Sequence, residues 1–193
     1  MSNPYPPVVL VGYPGSQKIV EASKYLTDKY LPMLNITYLN YQGGVNQWGN
    51  YLAGFLRYLT DEHVILALDD YLISDYIDIE AFQKAVSDIE ALRDVMVCKL
   101  CYCTEKENQE YPVTTQYSIW KREKLIQILE DNFDPWRFEV NGSKNFRGGF
   151  IHRPCIPYFT NSSISSRWEG VRLDGLNQHD ELYVKQLIHD AKQ

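Results

Sequence analysis

The sequence predicts an α/β protein with a mostly parallel sheet flanked by helices in a single domain, residues 1–193. Two observations carry this. Short runs of apolar β-formers alternate with segments of helical periodicity, giving β, α, β, α, β up to Leu68, the pattern of a parallel sheet covered by crossover helices. The composition, 45% hydrophobic and 23% charged over 193 residues, is that of a chain able to bury its own core.

"PPVVLVGY" is the first strand, and "GSQKIVEASKYLTDKYL" follows as a helix with Ile19, Ala22, Tyr25 and Leu26 on one face. "LNITYLNY" is a second strand. "NQWGNYLAGFLRYLTD" is a second helix with Trp48, Leu52, Phe55 and Leu59 on one stripe, and "HVILAL" is a third strand. A helix is expected near Ile79 to Leu92, then a strand in "DVMVCKLCYCT" and a polar loop, "TEKENQEYPV". "TTQYSIWKREKLIQILEDNF" reads as a strand end running into a helix, and "DELYVKQLIHDAKQ" as a terminal helix.

No apolar run reaches the roughly 20 residues of a membrane span, and "MSNPYPPVVLVGYPG" lacks the basic and apolar regions of a signal peptide, so a cytoplasmic location is expected. A net charge of −6 argues against a nucleic-acid partner, because that affinity comes mainly from Lys and Arg on phosphates. Cys98, Cys101, Cys103 and Cys155 invite a zinc reading. The alternative is buried free thiols, since a regular strand sends Cys98 to the face opposite Cys101 and Cys103.

The third strand ends on Asp69 and Asp70. In doubly wound sheets, ligands bind at the carboxyl ends of strands, and paired carboxylates there suit a hard divalent cation. Asp is equally at home in turns and helix caps, so the pair alone leaves both readings open. Downstream, "YPVTTQYSIWKREKLIQILEDNFDPWRFEVNGS" gathers more amide, hydroxyl and indole groups than a simple core helix needs.

Taken together, "LDDYLI", "TTQYSIWKREKLIQIL" and "PWRFEVNGS" resemble small nucleotide-sugar-dependent glycosyltransferases of the GT-A fold that serve lipopolysaccharide, capsule and other surface glycans, over roughly residues 8 to 145. "IPYFTNSSISSRWEGV" matches only loosely. The resemblance implies a nucleotide-binding half, about 1–103, and an acceptor half, about 104–193. It also implies transfer of a sugar from a nucleoside diphosphate, UDP by expectation, to a hydroxyl of a lipid-linked, capsular or protein-attached glycan, assisted by Mn2+ or Mg2+ and inverting. "LDDY" departs from a strict Asp-X-Asp. Asp70 is the expected metal ligand and Asp69 a ribose or sugar contact, with the reverse order open.

The same resemblance places Gly12 and Tyr13 at the nucleotide base, with Tyr13 able to stack on it or to sit in the core. Asn46 caps the second helix or contacts the nucleotide, and Trp48 belongs mainly to the core. Glu139 is the expected general base, against a plain exposed glutamate. Thr115 and Gln116 bind sugar or acceptor, or merely finish a strand. Trp120 and Trp136 form a stacking platform or join the core. Arg153 clamps phosphate or makes a surface ion pair, and His152 assists the metal or diphosphate or is held structurally. Two other functions stay open: a sugar nucleotidyltransferase, of whose glycine-rich signature "VGYPGSQK" is a faint echo, and an inactive glycan-binding module.

Overall fold

Val8–Gly12 form β1 and are all buried, as befits a strand covered on both faces. In the computed structural model, which describes residues 4–12, 17–102, 111–132, 134–160 and 176–189, β1 lies inside a six-stranded sheet. The sequence then runs through α1 (Gln17–Tyr30), β2 (Ile36–Asn40), α2 (Trp48–Leu56), β3 (His63–Leu68), β4 (Tyr71–Ile73), α3 (Ile79–Ala91) and β5 (Val95–Cys101). It continues with β6 (Ser118–Lys121), α4 (Arg122–Asp131), α5 (Pro135–Asn145), β7 (Gly149–Ile156), β8 (Tyr158–Thr160) and α6 (Gln178–His189).

The sheet order is β2-β1-β3-β6-β5-β7, with β6 alone antiparallel to its neighbours. Strands from both halves of the sequence therefore share one sheet, and β4 and β8 pair in a separate two-stranded ribbon. Each face carries its own core. Ala22 and Leu26 of α1 and Phe82, Ala85 and Ile89 of α3 cover one face. Trp48, Leu52 and Leu56 of α2, Leu125 and Leu129 of α4 and Phe138 of α5 cover the other. On that second face Phe138 sits between Trp48 and Trp120 at ring-centroid distances of 5.8 and 5.9 Å, a contact that fixes α5 on the sheet.

Local signals explain the helix positions. Asp78 caps α3 by accepting from the Ala81 amide at 3.0 Å, and Asp134 caps α5 by accepting from the Arg137 amide at 2.8 Å, with Pro135 opening the helix. Gly49 lets α2 lie directly on the end of α4, where a side chain would overlap the carbonyl oxygens of Leu129 and Asn132. Asp180 is fully buried between α6 and α1, accepting from Lys29 at 2.6 Å, Tyr25 at 2.9 Å, Asn177 at 2.6 Å and Tyr30.

Cys98, Cys101 and Cys155 are buried free thiols; Cys103 lies outside the described residues. The alternation expected for the cysteine strand fails. Cys98 and Cys101 join the same core, because the pairing of β5 with β7 slips between Lys99 and Cys101. Burial pushes the Cys98 thiol up to about 12.

Candidate functional site at the strand carboxyl ends

β1 and β3 run parallel and end side by side, so Gly12 and Asp69 are neighbours. The Asp69 amide donates to Val11 at 3.1 Å, and a Cβ on Gly12 would lie 3.4 Å from Asp69 Oδ2 and 2.7 Å from Val20. The glycine lets the Val20 side chain of α1 close over the end of β1 beside the buried Asp69 carboxylate. Asp70, the next residue, lies near enough to Glu139 of α5 to feel its charge. Its Oδ1 is buried and has no partner among the described residues. Burial pushes Asp70 up to about 6, and the charge of Glu139 adds to the rise against the lowering effect of a backbone hydrogen bond.

Glu139 lies in the second turn of α5, which the Asp134 cap and Pro135 open. Its Oε1 accepts from the Thr115 amide and hydroxyl, both at 2.7 Å, and from the Thr114 hydroxyl at 3.4 Å. One carboxylate oxygen is thereby fixed. Tyr71 completes the group: its hydroxyl is 3.5 Å from Thr115 Oγ1, and burial, then the charge of Glu139, raises its pKa. The segment carrying Thr115 is tied to β3 by the bond from the Leu68 amide to the Thr115 carbonyl at 3.1 Å. Asp70, Tyr71, Thr115 and Glu139 thus form one acidic centre, drawn from β3–β4, the segment before β6, and α5.

Beside it, past the end of β2, lies an open groove of about 690 Å3 lined by Asn40, Tyr41, Gln42, Gly43, Gln47, Asn50 and Tyr51. Its Tyr41 amide donates to the Gly12 carbonyl at 3.3 Å, which puts the groove against the end of β1. Its lining carries amides and two tyrosine rings 5.0 Å apart and no charged side chain. Asn46 is exposed in the short turn (Val45–Gln47) ahead of α2, and neither Gly44 nor Gln47 makes a side-chain cap bond there.

Other expected residues divide. Gln116 is half-buried next to Thr115, its amide donating to Thr114 Oγ1 at 3.2 Å. Trp136 is 55% exposed, one helical turn before Glu139, with Val140 exposed beside it. Tyr13 lies outside the described residues. Trp120 is completely buried against Phe138, so it has no face to offer a sugar. Arg153 is also absent from the centre. It pairs with Asp88 of α3 at 2.7 Å, on the opposite side of the sheet from Glu139. His152 bonds the Cys101 carbonyl at 2.8 Å.

The sequence reading missed Tyr71, Thr114 and the groove. Tyr71 directly follows the acidic pair and Thr114 adjoins Thr115, so adjacency was the available signal. The groove gave none, since it is assembled across β2 and α2.

A divalent cation fits the donor set. Carboxylate oxygens are hard ligands, and Asp70 Oδ1 is a buried oxygen without a partner among the described residues. Among the described residues no three His, Cys, Asp or Glu side chains converge as a closed cage.

No protein-family model and no curated protein matches the sequence. Solved structures do match in fold. A197 from STIV aligns at TM-score 0.53 and 13% identity, over 81% of this chain and 85% of that one. A glycosyltransferase involved in the glycosylation of the major capsid of PBCV-1 aligns at 0.52 and 10%, over 94% of this chain and 100% of that one. HddC from Yersinia pseudotuberculosis aligns at 0.50 and 10%, over 94% and 99%. At these identities the likeness is one of fold. The chain has the GT-A-like architecture, a mostly parallel sheet flanked by helices.

Proposed function

We propose that this chain is a glycosyltransferase that uses a nucleotide-sugar donor, UDP-linked by preference, and a glycan hydroxyl as acceptor. The observation that carries the proposal is the pairing of Asp70, with its buried unpartnered oxygen, and Glu139, with one oxygen fixed, beside an uncharged groove at the strand carboxyl ends. That a glycosyltransferase involved in the glycosylation of the major capsid of PBCV-1 shares the fold adds support.

The two aspartates divide the work. Asp69, against Gly12 and the β1 end, contacts the ribose or sugar, while Asp70, close enough to Glu139 to feel its charge, serves the reacting centre. Asp70 is the residue that holds Mn2+ or Mg2+, with Asp69 the second candidate; a bound cation neutralises charge on the diphosphate leaving group. The groove residues, with Gly12, Asn46 and Tyr13, hold the nucleoside. Amides can read a neutral base edge and a tyrosine ring can stack on it.

In the transfer step the acceptor oxygen bonds to the anomeric carbon as the bond from that carbon to the diphosphate oxygen breaks. Glu139 takes the hydroxyl proton through the oxygen that Thr115 leaves free, and the bond electrons leave with the diphosphate. Inversion follows from attack opposite the leaving group. Gln116 contacts the sugar, and Trp136 stacks on the acceptor.

The test is a panel of nucleotide sugars with Mn2+, scored for hydrolysis and transfer. Turnover that survives Asp70→Ala would remove Asp70 from the metal site. Near-normal turnover in Glu139→Gln would remove Glu139 as base. Pyrophosphate release from a nucleoside triphosphate and a sugar phosphate would instead assign nucleotidyl transfer, and glycan binding without any nucleoside-diphosphate binding would assign an inactive module.

A further inference from the structure

Lysine is rarely buried unless its ammonium is bonded, because an uncompensated charge away from water is costly. Lys99 is 2% exposed in the middle of the sheet, paired in register with Ser118 of β6 and His152 of β7. It lies two residues beyond Val97 on the face that carries Trp120, Val113 and Phe138, the face on which α5 packs. An apolar residue would fill that position. The ammonium instead donates to the Tyr111 carbonyl at 3.1 Å.

Tyr111 lies four residues before Thr115, and residues 111–117 are held on both the sheet and α5: the Leu68 amide donates to the Thr115 carbonyl at 3.1 Å and the Leu100 amide to the Tyr117 carbonyl at 3.0 Å. Lys99 holds Tyr111. Ser143 of α5 holds Val113, donating to its carbonyl and accepting from its amide, both at 3.1 Å. Glu139 of α5 holds Thr115 through amide and hydroxyl. Two anchors come from α5, so they fix the segment relative to that helix. Lys99 ties Tyr111 to β5, four residues ahead of the point where the Leu68 amide ties Thr115 to β3.

We propose that Lys99 is a positioning residue: its buried ammonium fixes Tyr111 on β5 and, together with the Leu68 bond that ties Thr115 to β3, sets where Thr115 holds the Glu139 carboxylate relative to Asp70. The proposal rests on the reading of Glu139 as the base. A misplaced base costs chemistry more than binding, because a shift of about 1 Å at a reacting group lowers the rate by as much as about a hundredfold.

The test replaces Lys99 with Met, which keeps length and volume and removes the donor, and with Gln, which keeps a neutral donor. Two readouts are taken on the full chain: amide hydrogen exchange across residues 111–117, and kcat and KM with UDP-glucose and Mn2+. Lys99→Met is expected to speed exchange at Val113–Gln116 at least tenfold and to lower kcat at least tenfold, with donor KM within about threefold. Lys99→Gln is expected to fall between Met and wild type, and it serves for the comparison if the Met variant does not fold. Unchanged exchange across the segment, or a loss confined to KM, overturns the proposal. Exchange needs no turnover, so a wild type that releases no sugar from any nucleotide sugar would sink the Glu139 reading while exchange still decides the role of Lys99.

Discussion

Glu139 Oε1 accepts two hydrogen bonds of 2.7 Å from Thr115, one from its amide and one from its hydroxyl. Bonds to a charged acceptor contribute about 1.5–3 kcal/mol. Thr115→Val removes the hydroxyl and leaves the amide, so the carboxylate keeps one tether and loses its aim. The expected outcome in the transfer assay is a fall in kcat of about tenfold or more, with the melting temperature lowered by a few degrees.

Asp70 gives a pH-dependent prediction with a definite sign. Its pKa is raised to about 6 in the folded state, from an ordinary value near 3.8, so the folded protein binds the extra proton between those values. Stability from this group is present below about pH 4 and is lost as pH rises through 6, a difference of about 3 kcal/mol at most. Asp70→Asn removes the buried charge and is expected to melt higher than wild type at pH 7.5, by up to several degrees, while its melting temperature loses that part of the pH dependence. Thermal melts of both proteins from pH 4 to 8 check it.

Asp180 has the opposite sign. Burial alone would raise it, but bonds from Lys29, Tyr30, Tyr25 and Asn177 hold it down at about 2. Its contribution is full above about pH 4 and disappears as pH falls toward 2, roughly 2 kcal/mol. Asp180→Ala is expected to cost about 2–3 kcal/mol in urea unfolding at pH 7, by stripping Tyr30 and Lys29 of their acceptor and loosening α6 from α1.

Arg153 and Trp136 separate structural from functional roles. Arg153→Ala breaks a partly exposed ion pair with Asp88, so donor affinity should stay within twofold and stability within about 1 kcal/mol. Trp136→Ala removes an exposed ring, so stability should hold within about 0.5 kcal/mol while acceptor KM rises about tenfold. Titrations of donor and acceptor on each variant check both.

Legibility in the sequence followed the range of the interactions. The strands and helices up to Leu68 could be read because apolar periodicity is local, and the acidic pair was placed at a strand end for the same reason. β4 and β8 were not anticipated, being three residues each and stabilised by pairing with one another across the chain. Trp120 was ambiguous because an indole looks the same in a core and on a platform. Phe138, eighteen residues later, decides for the core. The Cys98–Cys101 alternation failed on a register slip that depends on β7. Asp70 and Glu139 were singled out separately, but their mutual influence depends on α5 folding back over the segment before β6, which no local pattern encodes.

The central claim is that Asp70 belongs to a metal-dependent nucleotide-sugar site. Calorimetric titration of UDP into the protein with Mn2+ and with a chelator, for wild type and Asp70→Asn, tests it most directly. The account predicts binding by the wild type that weakens at least tenfold when Mn2+ is removed, and equally weak binding by Asp70→Asn with or without the metal. UDP binding of the same strength in all four titrations would contradict it.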